Sequence, residues 1–119
     1  MLSHGSRLEP IVRAYRAYYS DAPLVVDVGA RDGDDVAVLV EALGGQGIAV
    51  EARPEAAEEI RTRHPTLNVI QAAVHDHNGV TGFAVFESDD PDIVGSSGFR
   101  YERSYALGVP AHVIQVSCC

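Results

Sequence analysis

Cysteine is nearly absent from this chain of 119 residues: Cys118 and Cys119 are the only two, and they are adjacent. Neighbouring thiols of this kind make no disulfide framework and no metal-ligand spacing. Long apolar runs are absent too, none approaching the roughly 20 residues of a membrane-spanning helix. Residues 1–13 lack the apolar stretch of a secretory signal, which sets the expectation of a cytoplasmic protein. Positive charge is scarce. Nine basic residues against 17 acidic ones leave a formal net charge of -8. That balance repels a nucleic-acid duplex or an anionic membrane, so neither is expected as a direct partner. Arg7, Arg13 and Arg16 cluster near the start and read as the solvated face of a helix. There is no internal repeat, no low-complexity tract and no G-x-x-x-x-G-K-[ST] phosphate loop.

What is present is ordinary for one globular domain with a modest core: 46% of residues are hydrophobic and 22% charged. Leu8, Ile11, Val12, Tyr15 and Tyr19 repeat at helical spacing and predict an amphipathic helix over residues 7–19, with Pro10 in its first turn. Leu24–Val28 is a short continuous apolar run, the pattern of a strand buried on both faces. Val36, Leu39, Val40 and Leu43 predict a helix laying one face on a sheet, ended by Gly44 and Gly45. Ile48, Ala49 and Val50 form a second strand. Pro54 opens the next helix, whose Glu55, Glu58 and Glu59 precede Arg61 and Arg63 in the order the macrodipole favours; Pro65 stops it. Residues 67–74 read as a third strand. The alternation of strands and helices predicts a parallel sheet.

The pattern then changes. His75, Asp76, His77, Asn78 and Gly79 carry an Asn-Gly turn signal, and residues 80–86 read as a strand. Residues 88–105 are polar and turn-rich and read as a mobile loop. Residues 112–117 read as a last strand. The His75 and His77 pair offers too few ligands for a zinc site, and the segment reads as a solvated turn, so no metal is expected. His75, His77 and His112 are candidates for a general base by chemistry alone.

The chemistry concentrates where the first two strands end. Asp27 closes the first strand, Gly29 and Gly33 flank a turn, and Asp32, Asp34 and Asp35 crowd the start of the following helix. Glu51 ends the second strand. It lies near the distance, about 20 residues on, at which an acidic side chain reaches ribose hydroxyls, and its two oxygens match two vicinal hydroxyls. Each residue has a plainer alternative. Asp27 braces the turn, Gly33 permits close helix–strand packing, and Glu51 is a polar strand end. A nicotinamide dinucleotide site competes, but the G-x-G-x-x-G fingerprint would need glycine where Arg31 and Asp34 stand. A carboxylate about 4 Å from a phosphate costs roughly 1 kcal/mol in water and about 4 at intermediate dielectric, so three acids oppose a pyrophosphate. A cationic ligand suits the turn better, and S-adenosylmethionine carries a sulfonium and an ammonium.

Three segments in order resemble the FkbM-type S-adenosylmethionine-dependent methyltransferases. They are Asp27-Val28-Gly29-Ala30-Arg31-Asp32-Gly33, Glu51-Ala52-Arg53-Pro54, and Ala73-Val74-His75-Asp76-His77-Asn78-Gly79. Arg31 stands where the pattern has asparagine, and Ser96 and Ser97 stand at the place of a serine-bearing loop. The resemblance covers residues 24–117. It implies a Rossmann-like parallel sheet with flanking helices, truncated, plus a C-terminal β-hairpin region. Residues 1–22 would be an N-terminal amphipathic helix and linker, and residues 23–119 a cofactor-binding domain incomplete at its C-terminus. Asp27, Gly29, Ala30, Asp32 and Gly33 would lie at the methionine end of the cofactor, Glu51 at the ribose, and Ala52 and Arg53 near the adenosine. The implied reaction is methyl transfer to a hydroxyl of a small-molecule acceptor, a sugar or a secondary metabolite. The family continues into a K-I-D-x-E-G strand, which would leave a sheet edge exposed here for a homo-oligomer. A non-catalytic half-Rossmann binding or interaction module is the other reading, and an NAD-binding domain a third.

Overall fold

The computed structural model describes residues 3–90, 94, 97–98 and 108–119. The chain divides into two compact units, Met1–Gln71 and Ala72–Cys119.

In the first unit the order is α1 (Ser3–Tyr18), β1 (Leu24–Val28), α2 (Asp34–Leu43), β2 (Gln46–Val50), α3 (Pro54–Arg63) and β3 (Asn68–Ile70). The strands form a parallel sheet in the order β1-β2-β3, with Val26 beside Ile48 and Val50 beside Ile70. Each crossover is a helix, as parallel pairing requires. Val25, Asp27, Gly47, Ala49 and Val69 share one face through this register. Against that face pack Val36 and Val40 of α2, Ile60 of α3 and Leu67. Gly47 lets α2 come close: a Cβ there would lie 2.8 Å from Val40 Cγ2 and 2.7 Å from Leu67 Cδ2. Gly44 ends α2 in the left-handed conformation and gives its N–H to the Val40 carbonyl. Pro54 opens α3, and Arg61 and Arg63 fall in its last turn.

Three expectations change here. Helix α1 starts at Ser3, so Pro10 lies inside it rather than in its first turn. A proline there has no N–H for the carbonyl one turn back, and the helix loses that bond. Strand β1 is not buried on both faces. It is an edge of the three-stranded sheet, its burial alternates, and Leu24, Val26 and Val28 are each more than half exposed. The helices of this unit cover only the face of Val25 and Asp27. Strand β3 is three residues long rather than residues 67–74. Its pairing with β2 ends at Ile70, and Ala73 pairs instead with Cys118.

In the second unit β4 (Gly79–Phe86) and β5 (Ala111–Cys118) form an antiparallel two-stranded sheet, with Gly79 opposite Cys118 and Phe86 opposite Ala111. Gly79 is thus the first residue of β4, not part of a tight turn between adjacent strands. Phe83, Ala84, Val85 and Phe86 are buried. Gly98 pairs with Ala84, and Ser97 Oγ accepts the Phe86 N–H at 2.9 Å while donating to the Val94 carbonyl at 2.6 Å. Most of the loop expected over residues 88–105, Ser96 included, lies outside the described residues. Among the described residues no helix is long and apolar enough to cross a membrane.

Ile60 is fully buried at the centre of the first unit. Ile60→Ala should cost about 2–5 kcal/mol, because the helix and sheet backbones around it cannot close the cavity. Urea denaturation followed by circular dichroism measures this as a lower midpoint at constant slope.

Candidate functional site

A parallel sheet gathers chemistry at the carboxyl ends of its strands, where each strand hands over to a helix. Here β1 passes through residues 29–33 into α2, and β2 passes through Glu51, Ala52 and Arg53 into α3. The first turn is tightly wound. Gly29, Arg31 and Gly33 have φ of 75°, 58° and 78°. For Gly33 the need is double, because a Cβ would also lie 2.9 Å from Ile60 Cγ2. Arg31 is the one non-glycine residue with positive φ among the described residues. Asparagine adopts that conformation more easily than arginine does.

Glu51 joins the two turns. Its side chain is buried, with the residue 4% exposed. Oε1 accepts the Arg31 N–H at 2.9 Å, and Oε2 accepts the Arg53 N–H at 2.9 Å and Arg53 Nε at 3.3 Å. The turn is fastened further by the N–H groups of Gly29 and Ala30, both donated to the Val50 carbonyl. A carboxylate offers about four acceptor positions, so the three donors leave one, on Oε1. The match of both oxygens to vicinal hydroxyls therefore gives way to a carboxylate that mainly braces its own backbone.

The crowd of acids at the start of α2 resolves into separate duties. Asp32 Oδ1 accepts the Asp34 N–H at 3.0 Å and so caps the helix from outside. Asp34 accepts Arg63 Nη2 at 2.9 and 3.0 Å and lies 2.8 Å from His64 Nε2, joining the start of α2 to the end of α3. Asp35 pairs with Arg7 at 2.6 Å. Arg16 donates to the Ala42 carbonyl at the other end of α2, and Arg13 pairs with Glu9. The arginines of α1 are therefore exposed but engaged. Two of them hold α1 along α2, where the sequence suggests only a solvated face. Asp34 and Asp35, expected to oppose a pyrophosphate as free charges, are ion-paired.

Asp27 keeps its expected place at the end of β1, partly buried on the covered face. Burial pushes its carboxyl above the ordinary value of 3.8, and the negative charges of Asp35, Glu51 and Asp32 push the same way. The structure thus brings Asp27, Gly29, Ala30, Asp32, Gly33, Glu51, Ala52 and Arg53 to one end of the sheet. Ala30 and Ala52 are buried there. His75, His77 and His112 belong to the second unit. Two open clefts sit at the opposite, amino-terminal ends of the strands. One lies by Ala22, Pro23 and Leu24, the other by Gly47, Thr66 and Asn68; neither gathers charged side chains. The sequence does not disclose the donors to Glu51. Two of them are backbone N–H groups, and nothing in residue type marks those.

The chain matches no family model, no curated protein and no solved structure.

Two outcomes follow from the carboxylates. A carboxyl whose folded value is raised makes the fold hold its proton more tightly than the unfolded chain does. That stabilisation is complete below the ordinary value and is lost as the pH rises through the raised one. Asp27→Asn should therefore melt at a higher temperature than the parent chain at pH 7, with the gap closing as the pH falls towards 3.8; thermal scans across that range read it. Glu51→Ala strands two backbone donors and a largely buried guanidinium, and should cost about 3–5 kcal/mol in urea unfolding. Glu51→Gln, which keeps one acceptor oxygen, should cost less.

Proposed function

We propose that the first unit is the cofactor half of a Rossmann-like methyltransferase, binding S-adenosylmethionine at the carboxyl ends of β1 and β2. The observation that carries this reading is the carboxylate group around Asp27. A strand-end acid with a raised affinity for a proton, surrounded by further acids, is a place that favours a cation and disfavours a phosphate. The turn supports the same choice. Its N–H groups at Ala30, Arg31 and Asp34 are already given to Val50, Glu51 and Asp32. A pyrophosphate, which depends on such donors, finds them occupied.

In this reading Asp27 and Asp32 face the ammonium and sulfonium end, and the backbone from Gly29 to Gly33 lets the ligand approach closely. Glu51 offers its remaining Oε1 acceptor to the ribose, with Ala52 and Arg53 beside the adenosine. When bound, the cofactor supplies an activated methyl group on a positively charged sulfur. The displacement leaves a neutral thioether, so the protein's main task is alignment of an acceptor hydroxyl with that methyl group. The acceptor by resemblance is a small molecule, a sugar or secondary metabolite. The base that takes its proton is not assigned. Neither nucleic acid nor membrane enters the reading.

Calorimetric titration of S-adenosylmethionine and S-adenosylhomocysteine into the whole chain tests it. Both should bind, since both carry the ammonium, and Asp27→Asn should weaken each by about tenfold, the effect of one charge-assisted contact. NAD should leave the melting temperature unchanged while S-adenosylmethionine raises it. Binding without turnover on any hydroxyl acceptor would instead favour the non-catalytic module. Protection by NAD alone would replace both readings with a dinucleotide site.

A further inference from the structure

The second unit holds a cluster that the crevice does not use. His75, Asp76 and His77 each present a ligand atom, and these atoms all lie within 4.8 Å of one another. Both imidazoles turn to one carboxylate oxygen: His75 Nδ1 is 2.5 Å and His77 Nδ1 2.9 Å from Asp76 Oδ1. The rings are 4.6 Å apart, tilted by 59°. His75 Nδ1 also accepts the Asp76 N–H at 2.7 Å.

The backbone leading into the cluster is fixed by the end of β5. Ala73 N–H donates to the Ser117 carbonyl at 2.8 Å, Cys119 N–H to the Ala73 carbonyl at 3.1 Å, and His75 N–H to the Cys119 carbonyl at 2.9 Å. The ring of His77 is oriented from its far side, where Nε2 lies 3.7 Å from the buried Cys118 sulfur. A contact at the far ring nitrogen helps to fix the orientation of an imidazole. Asp76 is 84% exposed and able to turn outward, opening the space that metal bonds of about 2.0–2.2 Å need.

We propose that His75, Asp76 and His77 bind one divalent first-row transition ion through one ring nitrogen of His75, His77 Nδ1 and a carboxylate oxygen of Asp76, with Cys118 outside the coordination shell as the partner of His77 Nε2. Two imidazoles and a carboxylate suit zinc, cobalt or nickel rather than magnesium or calcium. Water completes the shell. The ion would stiffen the segment between Ala73 and β4, which supplies all three ligands.

Zinc titrated calorimetrically into the whole chain, in a buffer that does not bind metal, should bind at one equivalent, and magnesium at least a hundredfold more weakly. His75→Asn and His77→Asn should each weaken zinc tenfold or more, while His112→Asn leaves it unchanged. The double variant Cys118→Ser, Cys119→Ser should weaken it by less than either histidine variant does, since it alters the contact that orients His77 and removes no ligand. The cobalt form should show no thiolate-to-metal charge-transfer band. Zinc binding that survives loss of both His75 and His77, or that disappears with the cysteines or with His112, overturns the site, as does the absence of zinc binding. Should a histidine variant fail to fold, copper added to the parent chain decides. Ring resonances of His75 and His77 broaden first if the proposal holds, and those of His64 or His112 first if it fails.

Discussion

One buried carboxylate organises the first unit. Glu51 sits where two strand-to-helix turns meet, and it accepts a backbone N–H from each of them, Arg31 and Arg53. A carboxylate taken out of water keeps its charge only when hydrogen bonds replace the solvent. The fold supplies them from the two segments that most need fastening. The turn after β1 can then hold its unusual run of positive φ, and α3 can begin at Pro54 directly behind Arg53. The same constraint limits what Glu51 can offer a ligand, because most of its acceptor capacity is committed within the chain.

The acids around it divide into those that build and those that wait. Asp34 and Asp35 are tied to Arg63 and Arg7, and through those pairs the start of α2 is joined to α3 and α1. These pairs are partly exposed, and each adds little stability alone, about 0–1 kcal/mol. Their geometric effect is larger, since they fix three helices against one another at a single helix end. Asp27 is different. It is partly buried among like charges, an arrangement that costs stability.

Much of the fold could be read from the sequence, for identifiable reasons. Helical spacing at Val36 and Val40, the proline at the start of α3 and the left-handed cap at Gly44 are local signals, and local structure follows them. What depended on neighbours could not be read. The run Leu24–Val28 is apolar throughout, and composition does not say whether one face or two is covered; the register and the helices decide that. Strand β3 stops at Ile70 because β2 ends beside it, while the apolar residues continue. At the candidate site the residue types and their convergence at the strand ends were legible. The pairing of Asp34 with Arg63 and His64 came from a helix turn distant in sequence, and the donors to Glu51 came from the backbone.

The open face of the first sheet carries a colloidal consequence. Leu24, Val26, Val28 and Ile70 stand on it with roughly half of each side chain exposed, beside the outer edge of β1. At neutral pH a net charge of -8 opposes the approach of two copies. Near pH 4.9 that charge vanishes. The long-range repulsion is then gone while the apolar stripe and the strand edge are unchanged, and strand edges of that kind pair with one another. The chain therefore has its narrowest margin against precipitation in mild acid.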